Sequence, residues 1–199
     1  MSKTNEQVVE EFITMRAGDD FLYWSHNATN TLSVSYNDKS NDLMSYNTLI
    51  ARYDFDKKII YLSDQNMTNT TSKHIRIVID KALEHGIKVM SIPMTRGQRN
   101  FPKSEQVVGN YEARMDRYSM GTDLALAENR KEFLLNFERY KEFITVEDIT
   151  PKNFVKYDTI SKNLEDTEYL KALKSKRRVF LAKKDRLYED TVNDTTLFN

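Results

Sequence analysis

The chain has 199 residues, with 30 Lys plus Arg set against 30 Asp plus Glu. A formal charge of zero excludes a globally basic nucleic-acid binder and a globally acidic DNA mimic, leaving only local patches for either role. The absence of cysteine excludes disulfides, thiolate zinc sites, iron–sulfur clusters and a cysteine nucleophile.

The hydrophobic share is 39%, and 10 Phe and 11 Tyr supply material for a core, so wholesale disorder is not expected. Residues Met1 to Glu6 lack the apolar stretch of a leader peptide. No run approaches the roughly 18 apolar residues that a membrane helix needs. The expectation is a soluble protein of the cytoplasm with no membrane association. Five Gly, three Pro and no internal period argue against a repeat design.

Thr4 followed by Gln7 is a capping-box pattern, and Val8, Val9, Phe12 and Ile13 share one helical face. A short helix is predicted from Thr4 to Met15, stopped by Gly18. Phe21 to Trp24 forms an aromatic cluster whose default role is core packing. Thr31 to Tyr36 alternates apolar and polar residues, as a half-buried strand does. Asn37 to Asp42 is turn chemistry.

A long strand is then predicted from Leu43 to Tyr53, with Asp54 to Lys57 as a tight connection and Lys58 to Ser63 as the return strand. Thr68 to Ser72 offers several helix caps. The helix itself is expected from about Ser72 to His85, burying Ile75, Val78, Ile79, Ala82 and Leu83, with Gly86 beyond its end. Lys88 to Ile92 reads as one more strand, ended by Pro93.

Residues 95–110 show no period and read as a loop joining an α+β domain over 1–94 to a helical region over 111–199. The chain turns helical from Val107 or Tyr111. Met115, Tyr118, Leu124, Leu126, Phe133, Leu134, Phe137, Tyr140 and Phe143 line one or two helices broken at Gly121. Thr150 to Phe154 starts a short helix with Pro151 at its first position. A last helix covers Asp166 to Tyr188, followed by a polar tail.

Three groups of residues could carry function. Thr71, Ser72, Lys73 and His74 at a helix start could hold an anion through hydroxyls, free N–H groups and the lysine. Capping is the commoner use of such residues, and no Gly-rich turn precedes them. Lys171, Lys174, Lys176, Arg177, Arg178, Lys183, Lys184 and Arg186 make the last helix basic, against only Glu168 and Asp185. With Tyr169, Phe180 and Tyr188 interleaved, that stripe could track a phosphate backbone or dock on an acidic partner. It could equally be a solvated face balanced by Glu128, Glu132, Glu138, Glu142, Glu147 and Asp148. Arg96, Arg99 and Lys103 in the loop form a second candidate contact surface.

The three His residues lack metal-ligand spacing, no Gly-x-Ser-x-Gly elbow is present, and no catalytic residue, metal or cofactor is assigned.

Ser45 to Ala51, Ile59 to Leu62 and Thr70 to His74 together resemble a domain of small uncharacterised phage and prokaryotic proteins. In that group a Ser-Tyr-x-Thr-x-Ile-Ala strand and a second strand lead into a Thr-Thr-Ser-Lys-His helix start. The helix at Asn5 to Phe12 and the strand at Leu32 to Val34 are also similar, so the resemblance covers residues 4–85. It implies a phage or mobile-element origin and no assigned activity.

The expected fold is α+β, a small antiparallel sheet packed by two helices and followed by a helical C-terminal region. The leading functional expectation is a non-enzymatic phage accessory protein that binds a host protein or nucleoprotein complex. Its concrete form is a defence inhibitor of the anti-CRISPR type. The alternatives are a nucleic-acid-binding module using the basic last helix and an enzyme built on His74 or His26.

Overall fold

A computed structural model of the chain describes residues 2–17, 24–65, 67–94 and 97–195, with side chains given as far as Asp185. The expected stop at Gly18, Phe21 to Tyr23, and Arg96 lie outside the described residues. The fold is α+β, and the chain divides into two compact units, residues 1–110 and 111–199.

In the first unit, helix α1 (Asn5–Thr14) starts as its sequence predicts. The Thr4 hydroxyl accepts from Gln7 N, and the Gln7 side chain accepts from Thr4 N, closing the capping box. Val8, Val9, Phe12 and Ile13 are buried. The other end is closed from the sheet, where the buried Asn41 amide donates to the carbonyls of Phe12 and Met15.

Six described strands form one sheet in sequence order: β1 (Trp24–His26), β2 (Leu32–Tyr36), β3 (Ser40–Ser45), β4 (Thr48–Asp54), β5 (Ile59–Ser63) and β6 (Lys88–Ile92). The first five pair antiparallel. β6 pairs parallel to β5, because helix α2 (Asn69–Glu84) carries the chain back between them. Both helices lie over one face of the sheet, where Leu32, Val34, Leu43, Ala51, Ile60 and Leu62 meet Val8, Phe12, Val78 and Ala82.

Three sequence expectations need correction here. The single strand over Leu43 to Tyr53 is two strands. The chain reverses at Tyr46 and Asn47, with Ser45 opposite Thr48 and Tyr46 at φ +55. The polar stretch taken as a turn already contains the start of β3 at Ser40, whose Asn41 is spent on the α1 end. In α2 the inner positions belong to Thr71, His74, Val78 and Ala82. Ile79 and Leu83 point outward, Leu83 with 80% of its surface exposed.

The stretch 97–103 is held on the other face of the sheet. Leu49 N donates to the Gln98 carbonyl at 2.9 Å. The Phe101 ring sits 5.4 Å from Tyr61 and 4.3 Å from the Arg52 guanidinium, which is itself fixed by two bonds to Asp42.

Helix α3 (Ser104–Ser119) begins earlier than expected and runs into the second unit. Gly121 breaks the helical path at φ +55, and a 3-10 turn at Asp123–Ala125 leads into α4 (Ala127–Val146), α5 (Phe154–Asn163) and α6 (Thr167–Thr195). The core of the second unit is aromatic. Tyr111, Phe133, Phe137, Tyr140, Phe143 and Tyr157 are all buried, with ring centroids 6.1 to 6.5 Å apart along the chain of contacts. The buried phenols end on carboxylates, Tyr140 on Glu112 at 3.0 Å and Tyr157 on Asp116 at 3.1 Å. Burial, reinforced by these neighbouring carboxylates, raises both phenol pKa values.

Candidate functional sites

The start of α2 holds a chain of polar contacts. Thr68 is the N-cap, and its hydroxyl accepts from Thr71 N at 3.4 Å. From Thr68 Oγ1 the chain runs 3.1 Å to Thr71 Oγ1, 3.0 Å on to Ser45 Oγ and 2.9 Å to His74 Nδ1. Ser45 is the last residue of β3, so this chain ties the sheet to the helix across 26 to 29 residues of sequence.

Ser45 and His74 are each 1% exposed. Burial lowers the His74 pKa, so the neutral imidazole is favoured. The Ser–His distance suits a nucleophile and its base. Enclosure of both side chains instead makes the pair a polar staple inside the first unit. Of the four residues grouped at this helix start, Thr71 and His74 face inward while Ser72 and Lys73 are exposed, so they do not converge on one point.

His26 is half-buried, with Nδ1 2.8 Å from the Asn27 carbonyl oxygen. Trp24 is not a core residue. It is 55% exposed at the edge of the sheet, its ring 4.5 Å from that of His26. Among the described residues no group of three His, Asp or Glu is placed to hold a metal ion, and no helix is long and apolar enough to cross a membrane.

Arg99 and Lys103 are exposed on the 97–103 segment of the first unit. The Lys103 carbonyl accepts from Gln106 N and Val107 N, so this residue is the backbone start of α3. The segment is anchored by Gln98 and Phe101, which makes it a fixed platform for Arg99.

Helix α6 divides at Arg177. Before it, Leu173 is buried, Tyr169 and Leu170 are half-buried, and Lys171 pairs with Glu168 in its own helix. The half-buried Arg177 donates to Asp123 Oδ1 at 3.0 Å and fastens the helix to the 3-10 turn. Among the described residues it is the α6 cation that pairs outside its own helix, so the acids of α4 do not neutralise the stripe.

From Arg178 to Asp185 every residue is exposed. Val179, Phe180 and Leu181 present 54%, 57% and 41% of their surfaces, beside exposed Lys174, Lys176, Arg178, Lys183 and Lys184. None of these five cations meets an acid among the described residues. The basic character was readable from sequence. Phe180 reads there as interleaved with the cations, whereas the adjoining exposure of Val179 and Leu181 is seen only in the structure.

Residues 17–91 match a family of unknown function (DUF8033). The match begins after α1, ends within β6 and includes Ser45, Thr71 and His74. No curated protein and no solved structure matches the chain.

Proposed function

We propose that the protein is a binding protein that docks a host protein or nucleoprotein complex through the outer half of α6. The observation that carries this reading is the exposed Val179–Phe180–Leu181 triplet flanked by five cations that form no ion pair among the described residues. Apolar side chains on a solvated helix favour a partner that removes them from water, and they mark interaction surfaces. The cations select an acidic partner and speed its approach. The resemblance over residues 4–85 supports a phage origin, for which a defence inhibitor of the anti-CRISPR type is the concrete form and the host cytoplasm the place of action. Arg99 on its anchored platform is a second contact candidate.

The test is capture from bacterial lysate with the wild-type chain and the V179E/F180E variant, each with and without nuclease. A partner enriched by the wild type, lost with the variant and retained after nuclease is expected. Equal recovery by the two proteins, or no enriched partner, contradicts the reading. The second reading, nucleic-acid binding by the same stripe, rests on Lys174, Lys176, Arg178, Lys183 and Lys184 alone. It predicts affinity that falls steeply with salt and binding lost on nuclease treatment.

A further inference from the structure

The apolar surface that α6 leaves in water has a counterpart on the turn to which the helix is fastened, and the inference drawn from this rests on the α6 reading. Phe180 lies about two turns beyond the buried Leu173, and Leu181 lies about one turn beyond Arg177. Both therefore continue the side of the helix that packs inward before Arg177. Val179, next but one to Arg177, does not share that side.

Arg177 joins this side of α6 to the turn between α3 and α4. It donates to Asp123 Oδ1 at 3.0 Å. Two more exposed apolar residues bracket Asp123 along the backbone. The Asp123 N–H donates to the Met120 carbonyl at 3.0 Å, and the Asp123 carbonyl accepts from Leu126 N at 3.1 Å. Met120 is 69% exposed and Leu126 43%, whereas Leu124 and Ala125 between them are buried. Two elements distant in sequence thus bring Met120, Leu126, Phe180 and Leu181 to either side of one ion pair. Single exposed apolar residues need no explanation, but a group of them edged by charge marks a contact surface.

Charge selects the occupant. Lys174, Lys176, Arg178, Lys183 and Lys184 form no ion pair among the described residues and outweigh Asp185 on the same stretch. A phosphate backbone would satisfy the cations and leave the apolar side chains in water. A lipid surface would take the apolar side chains, but the Arg177–Asp123 pair would have to enter with them, at high cost. A second copy of this helix brings the same positive charge and is repelled. A helix with an apolar stripe edged by carboxylates satisfies both parts of the surface. We propose that Phe180 and Leu181 of α6, together with Met120 and Leu126 of the neighbouring turn, dock an acidic amphipathic helix of a partner protein.

Fluorescence anisotropy on the full chain tests this with a labelled leucine–glutamate peptide whose leucines repeat at helical spacing. A scrambled peptide of the same composition, phosphatidylserine vesicles and a DNA duplex are run beside it. The ordered peptide is expected to bind at least about tenfold tighter than the scrambled one. Met120→Glu and Phe180→Glu should each weaken it by about tenfold or more, and Val179→Glu should leave it within about twofold. All three positions are exposed; should Met120→Glu disturb the turn, Leu126→Gln replaces it with the same expectation. No saturable binding of the ordered peptide overturns the inference. So do equal binding of the two peptides, tighter binding to vesicles or duplex, and a Val179→Glu loss equal to that of Phe180→Glu. The α6 reading is judged separately by lysate capture. A partner lost with V179E/F180E but kept by Met120→Glu overturns this inference and leaves that reading standing.

Discussion

Helices α2 and α6 each leave large apolar side chains in water, and they do so for different reasons. On α2, Ile79 and Leu83 are outside because Thr71, His74, Val78 and Ala82 take the positions that face the sheet. Two of those four are polar, and they are held inside by hydrogen bonds to Ser45. On α6, packing ends at Leu173 and the Arg177–Asp123 pair, and Val179, Phe180 and Leu181 follow in a part of the helix where every described residue is exposed. The first exposure is the outer side of a helix that is fully engaged. The second belongs to a helix that outruns its own core. Helical spacing alone does not separate the two cases.

The contrast can be broken at several points. The largest expected effect is in the aromatic core, where Phe137→Ala should cost about 3 to 5 kcal/mol, read as a fall in the urea midpoint. A smaller loss would mean that the second unit closes around the gap. Ser45→Ala removes the partner of His74 and one of two partners of Thr71, so a loss of about 1 to 3 kcal/mol is expected. A neutral result would show that the staple does not hold α2 in place.

The same staple predicts a pH dependence. The unfolded chain takes up a proton on His74 below about pH 6.5, whereas burial lowers the folded value. The stabilising contribution is therefore complete above pH 6.5 and is lost as the pH falls through the folded pKa. His74→Asn should flatten the wild-type decline over that window, and parallel curves for the two proteins would contradict it. Thr4→Ala opens the α1 capping box and should cost about 1 kcal/mol. At the bottom of the scale, Phe180→Ala should change stability by no more than about 0.5 kcal/mol. A loss comparable to that of Phe137→Ala would place Phe180 in a core.

Local signals in this sequence were legible where both partners are neighbours. Thr4 and Gln7 are three residues apart, and their capping box is present as read. Gly86 ends α2 at φ +64, and Gly121 breaks the later helical path at φ +55. The reversal at Tyr46 and Asn47 was not legible, since no glycine marks it and apolar alternation runs straight through. Its left-handed tyrosine depends on strand pairing that only the assembled sheet supplies. The stripe of α2 was displaced for a similar reason: a period counts apolar residues and does not see a histidine drawn inward by a serine 29 residues away. The apolar group beside the Arg177–Asp123 pair could not be read at all, because its halves come from elements 54 residues apart that only this pair joins on the page.

The central claim is that residues 178–185 of α6 are not covered by their own chain. Amide hydrogen exchange on the isolated protein tests it directly, because protection follows the packing of each segment. The account predicts strong protection over 74–82 in α2 and rapid exchange over 178–185 in α6. Protection over 178–185 equal to that of α2 would contradict it.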